Sequence, residues 1–393
     1  MPRKNLLLLA TCQGLMLSCT SLTMATSALV GVILAPDPTL ATLPLGLLYF
    51  SIMLTMIPSS LLMKRFGRRV GFALGGSAGL VGGLTSALGI YLGSFTLFCI
   101  GSATFGIASG FGQYYRFAAA EIVDKSYKSR AISWVMAGGL VAAFIGPNTA
   151  SLTREMIPDA VFAASYTAIA VFCAGVIMIQ LFIQIPMPSS EEKEGHRRPI
   201  RFVLTRPTFL VAVLCAMIAY GTMNLLMTST PLAMNQREMA FGATAIVIQW
   251  HIVGMFAPSF FTGNLIHRFG VLKIMFVGAL VLIGCAVVAL SGQLYSHFVV
   301  GLIMLGIGWN FLYIGGTTLL TEVYSPAEKG SIQGINEFLV FSATAFTALS
   351  SGYLHHTLGW ETLNRYTIPV VGFAACLIVL LGWLTRYRQP QAA

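Results

Sequence analysis

Charge is what this sequence has least of. Only 9% of its 393 residues are Asp, Glu, Lys or Arg, where a soluble domain carries about a quarter. That excludes an ordinary soluble globular protein. Acid is scarcer than base, with 13 Asp and Glu against 23 Lys and Arg. The seven cysteines all fall inside apolar stretches and none in an expected outer loop, which argues against a disulfide framework. Enzyme signatures are missing too. There is no glycine-rich nucleotide loop, no nucleophile elbow and no zincin helix, so nothing points to an enzyme, and no prosthetic group is expected.

What is there is apolar sequence. Hydrophobic residues make up 56% of the chain. Runs of roughly 20 residues, the length that crosses a bilayer, recur along it. The pattern predicts an all-α polytopic membrane protein with twelve spans, about 6–34, 43–63, 71–91, 94–117, 131–153, 159–185, 208–233, 242–266, 272–291, 295–320, 332–354 and 366–385. The forty glycines read as close helix contacts, as in GLVGGLTSALG (79–89). Arg3 and Lys4 before an apolar run mimic a signal peptide, but a second span follows at once, so this segment reads as an uncleaved first helix.

A net charge of +10 would suit a nucleic-acid partner. Its distribution argues otherwise. With the N-terminus inside, 19 of the 23 Lys and Arg fall on the inner side, three (Arg154, Arg237 and Arg365) on the outer side, and Arg116 within a span. That asymmetry is the positive-inside rule, and it predicts a multi-pass membrane protein with both termini cytoplasmic. The lipid bilayer is the expected partner, and no nucleic acid is.

The chain also echoes itself. KRFGRRV (64–70), after span 2, resembles HRFGVLK (267–273), after span 8, at an offset of 203 residues. RFAAAEIVDKSYKSRA (116–131) is echoed by TTLLTEVYSPAEKGSI (317–332), where Glu121 and Glu322 lie 201 apart. Two echoes at nearly one offset predict two six-helix halves, 1–187 and 208–393, joined by the charged stretch 188–207. Here the sequence resembles the major facilitator superfamily, whose loop after helix 2 reads like G-x-L-x-D-R-x-G-R-R, with a weaker copy after helix 8. Arg65, Gly67, Arg68 and Arg69 match that loop. Ser60 stands at the glycine and Lys64 at the aspartate. The second copy keeps Gly263, Arg268 and Gly270, with His267 at the acidic position. The resemblance implies a substrate site between the halves near mid-membrane, bordered by helices 1, 4, 7 and 10, with the halves rocking around it.

Predicted span 7 carries Met223 and Met227, four residues apart, with Met234 beyond. Eighteen methionines make about one such pair expected by accident, and methionine usually fills gaps. Span 8 adds His251 and Met255, again four apart, at a depth matching Met223. A histidine at mid-membrane is costly and normally turned inward. Three thioethers and an imidazole suit Cu(I) and poorly suit Zn(II), Mn(II) or Mg(II). Cys12, Met16 and Cys19 share one face of span 1. They read either as packing or as a relay of soft ligands.

M-x-x-x-M on helix 7 followed by H-x-x-x-M on helix 8 resembles the CcoA-type copper importers, to which bacterial riboflavin importers lie close. That resemblance extends to TPLAM (230–234) and FAPSFFTG (256–263). It implies Met223, Met227, His251 and Met255 as copper ligands. Copper would be the transported substrate, imported for cytochrome oxidase assembly, with a cytoplasmic copper chaperone as a possible partner. Two rivals stay open. One is an importer of an organic solute, riboflavin foremost, with the methionines as cavity wall. The other is a membrane copper sensor or assembly partner that moves no cargo.

Other polar groups carry double readings. Arg116 and Glu121 could form a gate or anion contact, or be a snorkelling arginine and a loop acid. Tyr114, Tyr115, Trp250 and Trp309 could stack on a flat ring, or pack. Glu337 could carry a proton, or hold helices together by a hydrogen bond. His355, His356 and Glu361 are expected in the outer loop between spans 11 and 12, as a metal entry site or a solvated loop.

Overall fold

The computed structural model describes residues 2–37, 40, 43–185 and 198–387. These residues are helical apart from short connections, and no strand occurs among them. The chain order is α1 (Pro2–Leu34), α2 (Leu43–Phe66), α3 (Arg68–Tyr91), α4 (Phe95–Glu121), α5 (Lys128–Thr153), α6 (Ala163–Gln180), α7 (Pro207–Asn235), α8 (Phe241–Phe256, continuing as Ser259–Phe269), α9 (Val271–Ser291) and α10 (Tyr295–Leu320). A last helical stretch, Lys329–Tyr387, is broken at Gly359, whose φ of 75° lies in the left-handed region. It gives α11 (329–358) and α12 (360–387). Eleven stretches among the described residues are long and apolar enough to cross a membrane. The twelfth helix is α11, whose first turns carry Lys329, Gln333, Asn336 and Glu337.

Three of the predicted spans are broken. α4 is interrupted at Gln113 and Tyr114, α5 at Gly138, and α8 at Ala257 and Pro258. Pro258 removes a backbone donor, which ends the hydrogen-bond ladder there. α7, by contrast, runs through Pro231 to Asn235, and Met234 is fully buried. The expected loop at 355–365 is a correction. The helix continues through His355, which is buried, and the turn falls at Gly359.

Glycine sets the helix spacing, as the sequence predicts. A Cβ at Gly82 would meet the Phe105 amide and the Gly101 carbonyl of α4, and one at Gly83 would meet the Ala170 amide of α6. The two echoed loops share a backbone conformation. Gly67 has φ 89° and ψ 160°, and Gly270 has φ 91° and ψ 148°. Only glycine adopts that region freely, so the RFG repeat is a repeat of turn chemistry.

The chain forms two compact units. One comprises Met1–Asp124, Trp134–Gly195 and Lys329–Ala345; the other comprises Lys125–Ser133, His196–Glu328 and Phe346–Ala393. The main division falls inside the expected linker 188–207, and in addition each half of the chain lends a segment to the other's unit. Of the expected linker, residues 188–197 lie outside the described residues. The remainder holds a short helix, Ile200–Leu204.

In the first unit, α3 packs on α4 and α6, α2 on α4, and α1 on α5. Gly330 and Gly334 of the lent segment, spaced G-x-x-x-G, bring α11 onto α2 beside Lys64, Ser60 and Ile57. Ser60 Oγ donates to the Gly330 carbonyl at 2.6 Å. The second unit mirrors this. Gly263, at the position that echoes Ser60, admits the backbone of Ser129 and Arg130, and Ser129 Oγ donates to the Gly263 carbonyl at 3.3 Å.

Candidate functional site

In the second unit α10 is the hub, with α7, α8 and α9 each packed on it. The α7–α8 contact is slight, so both ligand-bearing helices lean on α10 rather than on each other. The α10 stripe Trp309 and Tyr313 is fully buried, with the two rings stacked at 4.9 Å. Tyr220 of α7 sits edge-on to both, at 5.3 Å from Trp309 and 5.0 Å from Tyr313. Phe256 of α8 meets Trp309 at 5.8 Å. Trp309 Nε1 is buried without a hydrogen-bond partner among the described residues.

Around this aromatic nest lie the residues singled out in the sequence. Met223 and Met227 are buried on α7 at three and seven residues from Tyr220, on its side of the helix. His251 is fully buried, and its Nδ1 lies 2.8 Å from the Leu302 carbonyl of α10. A carbonyl only accepts, so Nδ1 holds the proton and Nε2 keeps a free lone pair. Nε2 has no partner among the described residues. Met255 is buried one turn on, where Gly306 lets the α10 backbone meet that of α8. The structure thus brings His251 and Met255 together against α10, and places Met223 and Met227 on another helix of the same hub.

Asn310 holds this arrangement. Its Nδ2 donates to the Met255 carbonyl at 2.6 Å and to Ser259 Oγ at 2.7 Å, and its Oδ1 accepts from Thr262 at 2.7 Å. It braces α8 across the break at Pro258. Sequence reasoning missed Asn310, Tyr220 and Tyr313. Their signals were a lone amide in an apolar run, and aromatics at helical spacing from Met223 and Trp309.

The first unit holds a buried polar cluster. Arg116 Nη2 pairs with Glu337 Oε1 at 2.6 Å, and Asn336 Nδ2 donates to the same oxygen at 2.5 Å. Arg116 Nη1 also donates to the carbonyl and to Oε1 of Gln113, at 3.3 and 3.4 Å. Arg68 of the loop motif pairs with Glu121 at 2.5 Å and donates to Gln333 Oε1 at 2.6 Å, while Lys329 lies 3.3 Å from Glu121. The sequence offered Arg116 and Glu121 as a gate or anion contact, or as a snorkelling arginine and a loop acid. The structure gives each a different partner.

Tyr114 is fully buried, and its hydroxyl donates to the Met56 carbonyl at 2.6 Å beneath the Arg68 guanidinium. Trp250 is half exposed. Cys12, Met16 and Cys19 are buried against different neighbours. Cys12 meets Tyr115, Met16 lies near Gly112, and Cys19 Sγ approaches the Ile169 carbonyl at 3.8 Å. Arg65 and Arg268 are exposed, each over the phenylalanine that follows it. Arg69 reaches the Leu181 carbonyl at 3.4 Å. His267 and Gly270 border a cleft of about 380 Å³ with Lys128, Ile266, Thr321 and Glu322. Between α10 and α11, Arg198 pairs with Glu328, which also accepts from the Ser325 amide at 2.9 Å. Hydrogen bonding from Arg198 holds the Glu328 carboxyl down to about 2. The same bond pushes the Arg198 guanidinium up.

Comparison with known proteins agrees with this architecture. The chain matches the Major Facilitator Superfamily over residues 6–257 and 214–393. It is 39% identical to the riboflavin transporter RfnT of Brucella anthropi, over all of this chain and 98% of that one. It is 25% identical to the uncharacterised MFS-type transporter YddS of Bacillus subtilis, over 92% of this chain and 87% of that one. Among solved structures, the human organic anion transporter MFSD10 aligns with a TM-score of 0.78 at 16% identity, covering 96% of this chain and 99% of the other. A bacterial homologue of the iron transporter ferroportin aligns at 0.72 and 13% identity, over 95% and 98%. The chain belongs to the major facilitator superfamily and is a multi-pass membrane transporter.

Proposed function

We propose that this transporter imports riboflavin, or a flavin of the same tricyclic shape, across the bacterial inner membrane, with both termini in the cytoplasm. The observation that carries the reading is the full-length 39% identity to a riboflavin transporter. The site chemistry supports it. The Tyr220, Trp309, Tyr313 and Phe256 nest offers aromatic faces and edges of the kind a flat ring system packs on. Met223 and Met227 extend that surface with polarisable, adaptable thioethers. The free lone pair of His251 Nε2 is a buried acceptor, suited to the imide N–H of an isoalloxazine ring. The charge asymmetry of the chain supports the orientation.

A second reading keeps copper as the substrate. It is favoured by the same unpartnered Nε2, a soft-metal ligand beside Met255. Parallel uptake of labelled riboflavin and radioactive copper, in cells lacking the gene and in cells with it restored, separates the two. Gene-dependent riboflavin uptake with unchanged copper uptake is expected. The converse result overturns the flavin reading.

A further inference from the structure

The cleft bordered by His267 and Gly270 takes no part in the cargo reading. It lies in the second unit, where α5 and α9 begin and α10 ends. Its volume of about 380 Å³ has room for a small ligand. Thr318 lines it, is 7% exposed, and its hydroxyl has no hydrogen-bond partner among the described residues. Leaving a buried hydroxyl unpaired is costly. Thr321, one turn on, shows the usual remedy, for its hydroxyl donates to the Thr318 carbonyl at 2.6 Å.

The other lining groups fix the sign of a ligand. Lys128 begins α5, and its ammonium only donates. Arg130 Nη2 lies 3.4 Å from His267 Nδ1. A guanidinium has no acceptor, so Nδ1 accepts and Nε2 carries the ring proton. α9 opens at Val271 behind Gly270, and no side chain caps it. Its first-turn amides have no carbonyl within the helix to bond, and its dipole places partial positive charge there. The one acid of the lining, Glu322, is exposed and has a partner of its own.

The first unit supplies an internal comparison. There Arg68 starts α3, pairs with Glu121 and donates to Gln333, with Lys329 on the same Glu121. At the offsets of the two echoes, Lys128 answers to Lys329 and Glu322 to Glu121, but Val271 stands for Arg68 and Ile132 for Gln333. The second unit has thus lost both the guanidinium and the neutral acceptor that received it. Valine fills less space than arginine, and the polar groups left around it are mainly donors. A cation placed there would face Lys128 and Arg130 with no such acceptor. An oxyanion meets ammonium, imidazole N–H, hydroxyl and helix end together.

We propose that this cleft binds phosphate, carried either by a soluble phosphomonoester or by a phospholipid headgroup. Lys128, the Nε2–H of His267, the Thr318 hydroxyl and the first turn of α9 hold it. Bound phosphate ties the start of α5 to α9 and α10, and so holds the lent segment Lys125–Ser133 in the second unit. The site stands whether or not the cargo is a flavin.

The test uses the purified, delipidated full-length protein in phosphate-free buffer. Inorganic phosphate should raise the melting temperature saturably, and chloride at equal ionic strength should not. Lys128→Gln and His267→Asp should each weaken that response about tenfold in concentration. Thr318→Val should do the same without lowering the melting temperature of the phosphate-free protein, because valine removes an unpaired hydroxyl. That pattern separates a ligand contact from a packing role. In a second arm the protein is released from phosphatidylglycerol nanodiscs, and retained lipid is counted by native mass spectrometry. Retention that falls in Lys128→Gln and Thr318→Val assigns the headgroup as the source. A variant-sensitive phosphate response with retention equal throughout assigns a soluble phosphate. No phosphate response together with equal retention overturns the proposal, as does a response that all three variants share with wild type. If Thr318→Val does not fold, His267→Asp, at an exposed position, decides in its place.

Discussion

Arg116 and Glu337, 221 residues apart in the chain, share an ion pair whose two side chains are 2% and 0% exposed. Removing one partner leaves the other's charge buried, which costs about 3 to 5 kcal/mol in comparable sites, whereas replacing both by apolar groups is often neutral. Arg116→Leu alone should therefore lower the melting temperature in detergent far more than Arg116→Leu combined with Glu337→Leu. Equal losses in the two would show that the pair contributes nothing as a pair.

Glu328 sets an acid dependence. Its carboxyl is held at about 2, against an ordinary value of 4.5, by hydrogen bonding from Arg198. A depressed folded value means the contribution is complete above about pH 4.5 and is lost as pH falls toward 2. At neutral pH it amounts to about 2 to 3 kcal/mol at most, since Arg198 is 28% exposed and water screens it. Glu328→Gln should melt below wild type at pH 7, and the two curves should converge near pH 2. A gap that persists in acid would assign the stability to something other than this carboxylate.

The paired glycines of the echoed loops make a matched test. Gly67→Ala and Gly270→Ala each force a side chain into backbone at φ near 90°. The cost should be about 1 to 3 kcal/mol apiece. A Cβ at Gly270 meets nothing within 4 Å, so its loss, read from thermal melts, isolates the backbone term.

For cargo, the flavin reading distinguishes the aromatics by their placement. Tyr220→Ala should reduce riboflavin uptake tenfold or more, and Tyr220→Phe only slightly. Trp250→Ala, at a half-exposed position away from the nest, should be nearly silent. Met227→Leu keeps an apolar wall and should spare riboflavin uptake. If Met227→Leu instead abolishes gene-dependent copper uptake, thioether coordination is the function of that stripe.

The fold was legible because a bilayer leaves so few solutions. Apolar runs of fixed length, basic loops on one side and two echoes at one offset point to the family without any coordinates. The site was harder. Periodicity put Met223 and Met227 on one helix and His251 and Met255 on the next, but it could not say that α7 and α8 both rest on α10. For α8 that follows from the glycine at 306 and the amide at 310, and for α7 from the glycine at 316 beside Ala212, each a single residue. For Tyr114 the sequence left stacking and packing open, and the structure adds that its hydroxyl donates to the Met56 carbonyl. The polar residues around 355–365 suggested a long loop, whereas a single glycine, Gly359, makes the turn and the helix runs up to it. The G-x-x-x-G of Gly330 and Gly334 was a readable signal for the α2–α11 approach, hidden among many other glycines.

The lending of Lys125–Ser133 to one unit and Lys329–Ala345 to the other has a consequence for how the molecule is made. During synthesis, α2 is complete long before Gly330 exists to lie against Ser60. The first half of the chain must therefore wait in the membrane with a groove of serine and exposed backbone open. A polypeptide cut within 188–207 would yield two pieces that are each missing a wall. Neither should persist alone, and the pair made together should assemble, as interdependent parts of one protein rather than two modules on a string.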